Sequence, residues 1–164
     1  ALRPLKGDTH THTCRSDGTG TPVEAACDYA EAGFDFVCIT DHNVFPDTDL
    51  WLPVAAETGP WPCNLSGKEF NHAENLMNGN LISKVISFRT YVRLRTVKEL
   101  QELFDEEDKF LVLPGEEITL LDTKFEGKPG VYQFHFNIFN LSNSKHNKKL
   151  PKIITETINT NHLK

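Results

Sequence analysis

Short apolar runs alternate with polar stretches along this chain, and the apolar runs close on side chains that bind cations. The first run, residues 5–9, reads as a strand and passes straight into His10-Thr11-His12. A second, residues 34–40, ends in Asp41-His42-Asn43. A third, residues 110–113, enters Pro114-Gly115-Glu116-Glu117-Ile118-Thr119 and resumes over residues 118–121. The fourth, residues 131–139, carries His135 and Asn137 among Phe134, Phe136, Ile138 and Phe139. Between the first two runs the pattern predicts a helix. Thr21 supplies the N-cap oxygen, Pro22 fits the first turn, Glu24 closes a capping box and Gly33 stops the helix. Strand, helix and strand with short links make a right-handed βαβ unit with parallel strands. Both histidine-bearing ends then fall at the same rim.

A second helix follows Thr96, with Val97, Leu100, Leu103 and Phe104 at helical spacing and acidic residues on the outer face. Residues 46–80 break the rhythm with four prolines, Trp51, Trp61 and an Asn/Gly-rich stretch. They read as a long excursion or lid from the rim, with a short helix near 68–77. Residues 127–130 read as a turn, and Pro151 opens a final helix to about residue 161.

At 164 residues the chain is a single domain's worth, 1–164, with room for a substantial core. Its net charge of −6 argues against a nucleic-acid surface, which needs a basic face. It does not bar an anionic substrate, because bound divalent ions reverse the field inside a cleft. No apolar stretch reaches membrane-spanning length. The chain opens on Ala1, so the expected compartment stays open: a soluble protein, cytoplasmic or exported with a leader removed. Cys14, Cys27, Cys38 and Cys63 form no C-x-x-C pair, which argues against a structural zinc knuckle. Cys27 and Cys38 read as packing residues, and Cys14 as a small neighbour of the histidine pair.

Alternate residues of a strand share a face, so His10 and His12 can reach one ion. By itself that spacing serves a polar surface turn equally well. Four strand ends in succession, each bearing His, Asp or Glu, tip the reading toward a metal centre, because α/β enzymes gather their chemistry at such a rim. His72, His146 and His162 have no metal-type neighbours and read as surface or structural residues.

His10-Thr11-His12 with Ser16-Asp17-Gly18, Thr40-Asp41-His42-Asn43, Pro114 to Thr119, and His135-Phe136-Asn137 occur in an order and at separations that resemble the polymerase and histidinol phosphatase (PHP) superfamily. The wording is most similar to its stand-alone metal-dependent phosphoesterases and hydrolases. The resemblance implies an α/β fold, a distorted (β/α)7 TIM-like barrel, with two or three divalent ions (Zn, Mn or Fe) at its C-terminal rim. By position it implies that His10 and His12 bind one metal and that Asp17 and His42 bind another. Glu117 bridges two ions, with Glu116 the less suited of the pair. His135 serves a further metal, with Asn137 the alternative for that slot, and Asp41 orients an imidazole.

The family's later ligands are missing, and a complete barrel runs to roughly 250 residues. The chain is therefore expected to be only the N-terminal part of such a barrel, completed by further residues or by another chain. The implied activity is hydrolysis of a small-molecule phosphoester by a metal-bridged hydroxide, with Arg15 holding the phosphate by a forked contact. The alternatives are an amide, ester or carbamate hydrolase on the same metals, or a non-catalytic metal- or ligand-binding module. A cleft lined by arginine or lysine favours phosphate, and an apolar aromatic pocket built on Trp51 and Trp61 favours the carbonyl substrates.

Overall fold

The computed structural model describes residues 3–45, 47–55, 65–125 and 128–139. In chain order the elements are β1 (Gly7–Thr11), α1 (Pro22–Glu31), β2 (Phe36–Ile39), β3 (Leu50–Ala55), β4 (Leu65–Ser66), α2 (Gly67–Leu76), β5 (Ser83–Ile86), β6 (Arg89–Leu94), α3 (Val97–Phe104), β7 (Leu111–Phe125) and β8 (Lys128–Phe139). They build two four-stranded sheets, ordered β1-β2-β7-β8 and β4-β3-β6-β5.

The βαβ unit forms as the sequence predicts: β1 and β2 are parallel, and Thr21 with Glu24 closes the capping box of α1. β7 adds to β2 in parallel. Val37, Ile39 and Val112 then face Val23, Ala26 and Leu100 from α1 and α3, and this is the main core. Each of these aliphatic side chains is nearly or fully buried, a gain of roughly 1.5–3 kcal/mol apiece for the larger ones. The second sheet has its own smaller core of Leu52, Leu65, Val92 and Leu94. Cys14 enters that core from the loop after β1.

The expected (β/α)7 barrel, or an N-terminal part of one, is overturned by this topology. A βα barrel needs parallel strands, each returned by a helix. Here β7 folds straight back into β8 as an antiparallel hairpin, and β3, β6 and β5 are joined antiparallel without helices between β5 and β6. Among the described residues there are three helices. The fold is a mixed α/β arrangement of two small sheets.

Several boundaries also move. β1 begins two residues later than the apolar run, so His10 lies within the strand. The glutamate pair does not separate two strands but sits inside the continuous β7. Lys128 to Gly130, read as turn, belong to β8. The excursion at residues 46–80 contributes β3, β4 and α2, and β5 and β6 were not anticipated. The helix expected after Pro151 lies outside the described residues, as do Trp61, Cys63, His146 and His162. No helix among the described residues is long and apolar enough to cross a membrane.

Candidate metal centre

The C-terminal ends of β1 and β2 meet the middle of the β7–β8 hairpin where the four strands run side by side. Between Asp8 and Thr11 the β1–β2 register slips, placing an extra residue on β1. Such a bulge re-aims side chains. Asp8 accommodates it by accepting the His10 backbone N–H at 2.8 Å, and the Tyr29 hydroxyl donates to the same carboxylate at 2.5 Å. His10 and His12 end with their Nε2 atoms 3.0 Å apart.

The loop after β1 is organised by Asp41. Its buried carboxylate accepts the Thr13 N–H at 2.7 Å, the Thr13 hydroxyl at 2.8 Å and the Ser16 hydroxyl at 2.6 Å. Burial pushes the Asp41 carboxyl up, against the lowering effect of those hydrogen bonds. Asp41 therefore holds the loop from Thr13 to Ser16, and these hydrogen bonds to the loop stand where an imidazole contact was expected. Gly18 closes the loop: a Cβ there would lie 2.4 Å from the His12 carbonyl carbon, so any side chain would displace the backbone beside Asp17. Asp17 itself meets His12 Nδ1 at 2.8 Å through one oxygen and His42 Nε2 at 3.5 Å through the other.

Arg15 is placed differently from expectation. Its side chain is buried, and its terminal nitrogens donate to the backbone carbonyls of Arg95 at 3.2 Å, Phe45 at 3.3 Å and Thr48 at 2.6 Å. Desolvation lowers its pKa, with the Asp41 charge acting the other way. It ties the ligand loop to the loops flanking the second sheet, so a forked phosphate contact is not what this guanidinium makes.

β7 brings Glu117 under the imidazoles. The strand fits against β2 because residue 115 is glycine; a Cβ there would sit 2.6 Å from Cys38 Sγ. Past the end of β2, the ladder continues through Asn43, which adopts φ 50°. The Asn43 N–H donates to the Glu117 carbonyl at 2.9 Å, and its side-chain oxygen accepts the Thr119 N–H at 3.0 Å. Asn tolerates the left-handed region better than most residues, which suits it to this corner. On β8, His135 stands opposite Thr119 and Asn137 opposite Glu117.

Glu117 is the hub. Its Oε2 lies 2.6 Å from both His10 Nε2 and His12 Nε2 and 3.7 Å from His42 Nδ1, while Oε1 lies 2.5 Å from His135 Nδ1. The Glu117 side chain is only 3% exposed, whereas His10 and His135 are 51% and 40% exposed, so the site opens on their side. Burial works to raise the Glu117 carboxyl, but the hydrogen bonds from His10 and His12 outweigh it, and the group titrates below the ordinary carboxylate range. Asp17 shows the same balance, with His12 and His42 overcoming desolvation. Glu116, one residue away, projects to the other face of β7 as strand alternation requires.

Three overlapping sets of donors result: His10, His12 and Glu117; His12, Asp17 and His42; His42, Glu117 and His135. Within each set the ligand atoms lie within 4.8 Å of one another. All six side chains expected as ligands are therefore brought together. Imidazole nitrogen and carboxylate oxygen are the donors that Zn, Mn and Fe accept, at about 2.0–2.2 Å in the case of Zn. The triangle of 2.6, 2.6 and 3.0 Å formed by Glu117 Oε2 and the two Nε2 atoms opens around such an ion by small side-chain rotations, because donors sharing an ion at that distance stand roughly 3 Å or more apart. The donor set fits a divalent metal.

Beside the ligands lies an open cleft of about 330 Å³ lined by Asp17, His42, Asn43, Thr119 and Gln133. Three of these residues, Asn43, Thr119 and Gln133, carry no role in the sequence reading, although Asn43 and Thr119 lie within its motifs. Thr119 places its hydroxyl 2.7 Å from His42 Nδ1, and Asn43 substitutes for a strand neighbour. Neither residue type is a common metal ligand, so only the hairpin register reveals them.

Comparison of the chain with protein-family models, with curated proteins and with solved structures returns no match.

Proposed function

We propose that this chain is a metal-dependent hydrolase whose ligand motifs are of the PHP type, with a phosphoester as its leading substrate. The observation that carries this reading is the convergence on Glu117 of imidazoles from β1, the end of β2 and β8, with Asp17 alongside. His10, His12 and Glu117 would hold one ion; Asp17 and His42, with Glu117 and His135 adjacent, would hold a second. Bound there, divalent ions polarise a phosphoryl or carbonyl oxygen and ionise water near neutral pH.

The chain's own groups define the rest. With an ion bound, Asp17 would accept the Nδ1–H of His12 at 2.8 Å, leaving the Nε2 lone pair for an ion shared with Glu117 and raising its basicity. Glu117, with each oxygen facing a different histidine, bridges the two halves of the site. Asn43, Thr119 and Gln133 supply neutral polar contacts for a substrate in the cleft.

That lining also favours a second reading. None of the described residues around the cleft is arginine or lysine, and Arg15 is committed to backbone carbonyls. An amide, ester or carbamate needs no such cation, and the same metal chemistry serves it.

The test is elemental analysis of the purified protein together with a panel of generic phosphoesters and carboxyl esters. Bound metal with phosphoester turnover supports the leading reading, and turnover of carboxyl esters alone supports the second. His10→Ala should remove metal and turnover together. A correctly folded protein free of metal, or full activity in His10→Ala, overturns both readings.

A further inference from the structure

We infer that Thr119 is a positioning residue that assigns His42 to Asp17, keeping it from joining Glu117 and His135 around a shared ion. The inference rests on the metal reading above and concerns how many ions the cluster holds and where.

His42 stands between two donor sets and faces each with a different nitrogen. Its Nε2 lies 3.5 Å from Asp17 Oδ2, and its Nδ1 lies 3.7 Å from Glu117 Oε2. A neutral imidazole has one lone pair, and the hydrogen bond made by one nitrogen determines which nitrogen is left to bind metal. Thr119 Oγ1 is 2.7 Å from His42 Nδ1, closer than Glu117 Oε2 at 3.7 Å. With the hydroxyl oxygen accepting Nδ1–H, the lone pair is on Nε2 and points to Asp17.

The same hydroxyl lies 3.3 Å from His135 Nδ1, so it sits between the two nitrogens that would otherwise close a set with Glu117. Thr119 is itself held on both sides of its backbone by the Asn43 amide, at 3.0 Å and 3.5 Å. The His42 ring is only 16% exposed and packs edge-on to His12 with centroids 4.4 Å apart, so turning it over means unpacking it. The arrangement left by Thr119 is one ion on His10, His12 and Glu117 and a second on Asp17 and His42.

The probe is Zn²⁺ titrated calorimetrically into the wild-type protein and three variants: Thr119→Val, Thr119→Ser and Asp17→Asn. Wild type should take up two ions. Thr119→Val, which keeps the shape and removes the hydroxyl, should weaken the second ion by about 10–100-fold and leave the first unchanged. Thr119→Ser should restore it. Asp17→Asn should weaken the same ion, and the Asp17→Asn/Thr119→Val double variant should be no weaker than Asp17→Asn alone. Two-bond ¹H–¹⁵N spectra of the Zn²⁺-loaded wild type should show His42 protonated at Nδ1, a readout independent of any variant's folding. Unchanged affinities in Thr119→Val, or a His42 protonated at Nε2, overturn the inference. Wild type that takes up no Zn²⁺ removes the metal reading itself, before any variant is compared.

Discussion

At Asp41, burial and hydrogen bonding pull one carboxyl in opposite directions, and the loop it holds depends on the outcome. Replacing it by Ala strands the Thr13 N–H and the hydroxyls of Thr13 and Ser16 in a buried place. At about 1–3 kcal/mol for each unsatisfied buried donor, partly relieved by hydroxyl rotation, Asp41→Ala should cost about 3 kcal/mol in urea unfolding. Asp41→Asn keeps one acceptor oxygen and should cost clearly less. Equal losses would mean that the charge, not the hydrogen-bond count, sustains the loop. The same scale explains why Arg15 misleads a reader of the sequence. An arginine beside metal ligands looks identical whether it faces a cleft or three carbonyls, and Phe45, Thr48 and Arg95, which decide the matter, lie 30 to 80 positions away.

Among the elements, the helices were the most legible because their signals are local. α1, α2 and α3 each begin with a complete capping box, at Thr21, Ser66 and Thr96. The strands of the second sheet were not legible: Pro53 sits inside β3, where proline argues against a strand, and β5 is exposed throughout. The cap of α3 also carries charge into the second sheet. Glu99 accepts from the Thr96 N–H at 2.8 Å and from Arg93 at 2.8 Å, with Arg95 at 3.2 Å. Burial raises its pKa, but the Thr96 hydrogen bonds and the Arg93 and Arg95 charges outweigh that and hold it below the usual glutamate value. A carboxyl depressed in the folded state stabilises it above the unfolded pKa and loses that contribution as pH falls through the folded one. The melting temperature of Glu99→Gln should therefore trail wild type most at neutral pH, with the gap closing as the pH falls through and below the ordinary glutamate range. A gap that stays constant over that range would mean the ionised form contributes nothing.

For the whole molecule, the proposed metal site predicts that stability rises with bound metal. Ions that bind only the folded chain raise its stability by about 2.7 kcal/mol at a hundred times Kd. For a domain of this size that is a rise in Tm of roughly 5–10 °C. Zn²⁺ or Mn²⁺ should produce such a rise in wild type and a clearly smaller one in Glu117→Gln, which loses the carboxylate shared by His10 and His12. An equal rise in both would place the ions elsewhere.

The sequence alone determined the βαβ unit, the capping box of α1 and the candidate ligands His10, His12, Asp17, His42, Glu117 and His135, because short-range spacing and residue chemistry are written locally. Tertiary structure alone decided that β7 turns back on itself as a hairpin, that a second sheet grows from residues 50–94, and that Arg15 and Asp41 serve the loop. Those outcomes depend on register and on contacts between residues far apart in the chain, where the energy of pairing is set by partners that no local pattern names.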